Sequence, residues 1–133
     1  MPHVIAYALS LVLFAAIDIT WLMTMGARLY KQTLGDILLP DVNFAPAAAF
    51  YVLYPAGLVF FAVAPALKSE LPSQALLNGT LFGLFCYATY ELTNYATLRN
   101  WTLQITAIDI AYGAIASGAV AFVVAALLLN WRG

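Results

Sequence analysis

Four apolar stretches, at about Val4 to Ala27, Phe44 to Leu67, Ala75 to Leu98 and Gln104 to Trp131, divide this chain of 133 residues. At 1.5 Å of helical rise per residue each is long enough to cross a hydrocarbon layer roughly 30 Å thick. The pattern predicts an all-α fold, an integral membrane four-helix bundle forming a single domain over residues 1–133. Polar and turn-forming residues gather between the stretches: Arg28, Lys31, Gly35, Asp36, Pro40, Asp41 and Asn43, then Lys68, Ser69, Glu70 and Pro72, then Arg99, Asn100 and Trp101. The first connection, Leu29 to Asn43, has room for a short helix on the membrane surface, with Ile37, Leu38 and Leu39 against lipid.

Composition agrees, with 65% hydrophobic residues, 8% charged residues and a mean hydropathy of +0.92. The lipid bilayer is thus the expected medium. A net charge of −1 gives no electrostatic footprint for nucleic acid. The N-terminal stretch lacks a basic leader and carries Asp18 within it, so it reads as a retained helix, not a signal peptide. Arg28, Lys31 and Arg99 on one face are balanced by Lys68, Arg132 and the amino terminus on the other, which leaves the orientation open.

Three carboxylates interrupt these apolar helices: Asp18, Glu91 and Asp109. Each costs roughly 2.5 to 3.5 kcal/mol at a helix centre even on lenient insertion scales, so such residues usually face a packed or wet interior. Measured from the membrane face shared by Arg28 and Arg99, Asp18 lies about 15 Å deep, and Glu91 and Asp109 about 12 Å each. Tyr51 and Tyr54 in helix two reach similar levels, and Pro55 frees a backbone carbonyl one turn earlier. Helical spacing supplies each acid with neighbours on its own helix: Trp21 for Asp18, Tyr87 and Asn94 for Glu91, Tyr112 for Asp109. Phenol and indole donate hydrogen bonds to carboxylates while their rings pack against apolar groups. The expected ligand- or proton-binding set is therefore Asp18, Glu91, Asp109, Asn94, Trp21, Tyr51, Tyr54, Tyr87 and Tyr112. Against it stands a structural role, in which hydrogen-bonded acids join helices at about 0.6 kcal/mol per contact.

Ala16-Ile17-Asp18-Ile19-Thr20-Trp21 is echoed by Ala107-Ile108-Asp109-Ile110-Ala111-Tyr112, on helices crossing in opposite directions. Inverted-repeat transporters share that arrangement, although six positions establish no duplication. Gly79 and Gly83 on helix three, and Gly113, Ser117 and Gly118 on helix four, allow close backbone approach, within one bundle or across a homodimer. Tyr30, Trp101 and Trp131 fall where interfacial aromatic anchors belong.

Other chemistries lack their residues. The single Cys86 lies in an apolar helix and the single His3 at the N-terminal edge, so imidazole or thiolate metal ligation and haem binding are without ligands. No carboxylate spacing for a metal, phosphate loop, nucleophile elbow or zincin motif is present, and neither metal nor cofactor is expected. Asn78-Gly79-Thr80 matches a glycosylation acceptor formally but opens a membrane helix.

Asp18-Ile19-Thr20-Trp21, Phe50-Tyr51-Val52-Leu53-Tyr54-Pro55-Ala56-Gly57, Leu76-Leu77-Asn78-Gly79-Thr80-Leu81-Phe82-Gly83, Tyr87 through Asn94 and Ile108-Asp109-Ile110-Ala111-Tyr112-Gly113 together resemble a bacterial family of predicted membrane proteins, domain of unknown function 2177. The resemblance covers nearly the whole chain. It implies a multi-pass protein of the bacterial inner membrane with no established activity. Glu91 stands where the family pattern carries aspartate, and Met1-Pro2-His3 lacks the expected lysines.

Three functional classes follow. The first is binding, or proton-coupled movement, of a small amphipathic or lipid-like molecule, with Asp18 as principal proton or cation site, Glu91 and Asp109 tuning it, and aromatic residues lining the cavity. Small four-helix exporters give a physical analogy only, through their carboxylate in helix one. The second is a membrane enzyme acting on lipid, with one carboxyl as acid and another as base. The third is an accessory subunit of a larger membrane complex.

Overall fold

The computed structural model describes residues 2–25 and 44–132. The proposed surface helix, with Ile37, Leu38, Leu39, and the anchor Tyr30, lies outside them. Four helical rods account for the described chain, and no strand occurs among these residues. Helix α1 is Pro2–Met25. Helix α2 joins Phe44–Leu58, a π-helical turn at Val59–Val63 and Ala64–Ser69. Helices α3 and α4 are Pro72–Thr97 and Leu103–Arg132.

Proline and capping chemistry set the boundaries. Pro72 occupies the first helical turn, where its missing N–H costs nothing, and it holds Leu71 extended at φ −124°, so α3 starts ahead of Ala75. Glu70 closes α2 in the left-handed region at φ 58°, its N–H returning to the Ala66 carbonyl, and this two-residue turn sends α3 back antiparallel. Thr102 caps α4: its Oγ1 accepts from the Ile105 N–H at 3.1 Å. Within α2, Pro65 has no N–H for the Phe61 carbonyl one turn back, and Asn78 of α3 donates to that carbonyl instead at 3.1 Å.

Three helices, α1, α2 and α4, are long and apolar enough to cross a membrane. Helix α3 has the length, 26 residues, but Gln74, Asn78, Thr80, Thr89, Glu91, Thr93 and Asn94 dilute its apolarity. It completes the bundle by packing along α4, the closest of the helix pairings. Helix α4 is also the most enclosed, with a buried face running from Ile105 to Leu128, whereas α1 buries only Ala6, Ser10, Phe14 and Asp18. The small residues identified in the sequence form the α3–α4 seam inside the bundle. A Cβ on Gly79 would meet Ala121, and one on Gly83 would lie 2.3 Å from the Gly113 carbonyl oxygen. Only glycine admits backbones this close.

An aromatic core of Phe14, Tyr54 and Phe82, extended by Phe50 and Phe61, fills the bundle below the acids, with Phe14 and Tyr54 centroids 4.8 Å apart. Leu58, Ala62, Val63, Val120 and Val124 continue it toward the other end.

Candidate functional site

All three acids turn inward: Asp18 is 7% exposed, Glu91 1% and Asp109 8%. They sort into one acid held by phenols and a neighbouring pair. Tyr51 of α2 donates to Asp18 Oδ2 at 2.5 Å, and Tyr112 of α4 donates to Oδ1 at 2.8 Å. Both oxygens of Asp18 are thereby engaged, and three helices are joined at one carboxyl. Trp21 lies flat on Tyr112, centroids 4.2 Å apart and planes 14° from parallel.

Tyr112 differs here from the sequence expectation, which gave it to Asp109 on its own helix. Neighbours three apart on a helix point the same way, and a phenol extends far enough to reach a facing helix instead. The last residues of the two echoed segments, Trp21 and Tyr112, thus stack on each other.

Glu91 and Asp109 bring their carboxyls into direct interaction across the α3–α4 seam. Tyr87 stands between the two sets, within electrostatic reach of both Asp18 and Asp109, and its ring meets Tyr112 edge-on at 6.0 Å. This placement requires glycine at 113, because a Cβ there would collide with the Tyr87 ring.

Around Glu91 the hydrogen bonding is incomplete. Its Oε1 is buried without a partner, as are Asn94 Nδ2, one helical turn along the same face, and Trp101 Nε1. The indole of Trp101 approaches Glu91 without closing a bond of normal geometry. Met25, Ile105 and Ile108 pack with Trp101 at this end. Two unused donors thus flank one unused acceptor.

Tyr54 takes a different place from the rest of the expected set. It is 8% exposed, its hydroxyl pairs with Ser117 Oγ at 2.6 Å, and its ring belongs to the aromatic core. It forms the floor below the polar layer. Sequence reasoning missed Ser117 and Trp101 as members of this environment. In the sequence Ser117 stands only as a small packing residue, and its position one turn from Gly113 is the available signal. Trp101 has the sequence position of an interfacial anchor, whereas its side chain is half-buried beside Glu91. Among the described residues no three of His, Cys, Asp and Glu gather closely enough to hold a metal ion.

No curated protein and no solved structure matches the chain. A family model described as "Predicted membrane protein (DUF2177)" matches residues 3–126. With that match over most of its length, and with three helices fit to cross a bilayer around an acid-bearing interior, the chain belongs to this family of predicted membrane proteins.

Proposed function

We propose that the polar layer of this membrane protein binds the head of a small amphipathic molecule at Glu91, in exchange for or together with a proton. The observation that carries this reading is the unsatisfied trio, Glu91 Oε1, Asn94 Nδ2 and Trp101 Nε1. Leaving a buried donor or acceptor without a partner costs about 1 to 3 kcal/mol, and native structures seldom keep several together without a guest or water. A head group bearing both an N–H or O–H and a carbonyl or hydroxyl oxygen complements the trio: it donates to Glu91 and accepts from Asn94 and Trp101. Its apolar part would lie along Tyr87, Tyr112 and Trp21. The adjoining carboxyls of Glu91 and Asp109 can take up and release a proton as the guest leaves and arrives.

Asp18 has a different part in this proposal from the one that the sequence suggests. With a phenol on each oxygen it fixes α1, α2 and α4 around the layer, and Glu91 is where a guest finds open valence. We place the protein in the bacterial inner membrane, acting alone or as a homodimer.

Proteoliposomes with a trapped pH indicator test the reading. Short-chain primary alkylamides and alkylureas, added outside, should drive proton movement and shift the emission of Trp101. Glu91→Gln should lower the response at least tenfold while the protein remains folded. Unchanged proton movement in Glu91→Gln, or silence from the wild type toward the whole panel, would refute the proposal.

A further inference from the structure

The opposite end of the bundle carries a second feature that the acids do not explain. An open groove of about 810 Å³ runs between the first turns of α1 and the second half of α2, and Ala56, Val59, Phe60, Ala64, Pro65 and Leu67 form its α2 wall. Tyr7 contributes from α1, and its hydroxyl donates to the Val52 carbonyl at 2.9 Å, joining the two helices at the inner end. At the outer end stand His3 and Lys68, both exposed. Glu70, the nearest acid in sequence, does not line the groove.

Its dimensions and charge are those of one leaflet. From Ala56 to Lys68 the helix rises about 18 Å, close to the roughly 15 Å from interface to midplane of a bilayer. Lys68 lies in the last turn of α2, where a long basic side chain reaches the headgroup level. The π-helical turn at Val59–Val63 shapes the wall, because one extra residue in a turn shifts the faces of the helix on either side of it. Phe60, 72% exposed, stands at the groove's edge.

We infer that this groove is a binding site for one phospholipid with an anionic headgroup, its phosphate at Lys68 and His3 and an acyl chain along the α2 wall. The phosphate supplies the charge that complements the basic mouth, and the acyl chain supplies an apolar surface of matching length. A zwitterionic lipid fits the walls equally but gains less at the mouth.

The test uses the full chain reconstituted in vesicles of phosphatidylglycerol and phosphatidylcholine in equal amounts. After extraction in mild detergent, native mass spectrometry counts the phospholipids retained by each protein. The wild type should keep the anionic lipid in about fivefold preference, the factor that one lysine contributes beside anionic headgroups. Lys68→Gln should abolish the preference and Lys68→Arg should keep it. Ala64→Leu, which fills the groove, should remove bound lipid of both kinds. Equal retention of the two lipids by the wild type, an unaltered preference in Lys68→Gln, or a lipid-free dimer covering the groove would each overturn the assignment.

Discussion

Gly83→Ala is the sharpest perturbation of this bundle, because it strikes the backbone on both sides of the α3–α4 seam. The added methyl would lie 2.3 Å from the Gly113 carbonyl oxygen, 2.7 Å from Ser117 Oγ and 2.8 Å from Ser117 Cβ. Ser117 Oγ is already committed to Tyr54, and the carbonyl cannot rotate away. Reaching even the 3.0 Å floor of real Cβ contacts requires the helices to part by about 0.7 Å. A gap of 0.5 to 1 Å forfeits roughly a quarter to a half of the dispersion attraction between the atoms it separates. Overpacking of this kind costs about 1 to 3 kcal/mol, and a rigid backbone partner puts Gly83→Ala at the upper end. Gly118→Ala is the milder comparison: its methyl meets Thr80 Oγ1, the end of a side chain that can rotate, and lies 3.2 Å from the Thr80 N and Cβ, so its cost should fall below that of Gly83→Ala. Reversible unfolding in mixed micelles, followed by tryptophan fluorescence, gives both values. A Gly83→Ala protein within about 0.5 kcal/mol of wild type, or no worse than Gly118→Ala, would mean that the seam is looser than described.

Other substitutions separate the roles of the polar residues. Tyr51→Phe and Tyr112→Phe each remove one donor from buried Asp18 and should cost about 1 to 3 kcal/mol in the same unfolding assay; a double-mutant cycle with Asp18→Asn should recover a coupling, and strict additivity would deny the contact. Glu91→Gln keeps shape and polarity and should change stability by under about 1 kcal/mol; a larger loss would mark Glu91 as a structural tie. Thr102→Ala deletes the α4 cap and should cost about 1 kcal/mol, read as faster amide exchange in the first turn of α4. Asn78→Ala leaves the Phe61 carbonyl without its side-chain donor and should weaken the junction of α2 and α3 by about 1 kcal/mol, with exchange confined to that junction as the check.

The helices were legible because length and apolarity alone decide whether a segment can span lipid, and the breaks at Pro72 and Thr102 follow from local backbone chemistry. Which face turns inward was less legible. In a chain apolar on most sides, hydrophobic periodicity says little, and only residues that dislike lipid or permit close approach carry the information. Asp18, Glu91, Asp109 and the seam glycines are such residues, and all face the interior. Partnership across helices was not legible: spacing along α4 gave Tyr112 to Asp109, since sequence reports neighbours on one helix and not the register between two. The groove was not legible for the same reason, as its walls are ordinary apolar residues and its mouth, His3 and Lys68, comes from the start of α1 and the end of α2, which only packing brings together.

Hydrogen bonding distinguishes two acids that composition and depth leave alike, Asp18 and Glu91. A carboxyl clamped by two phenols from different helices resists displacement, since a guest taking either oxygen must first release a tyrosine. A carboxyl with a free oxygen beside two free donors offers its valence at no such cost. The short chain of contacts between them runs from Asp18 through Tyr112 to Tyr87 and on to the reach of Asp109. A change at Glu91 therefore has a path of packed aromatic rings by which to disturb the clamp, and through it the mutual placement of α1, α2 and α4. If occupation of the open half altered the stability of the closed half, Glu91→Gln and Tyr112→Phe would couple in guest binding although the two side chains belong to different sets. Independent effects would mean that the tyrosines insulate the clamp from the site.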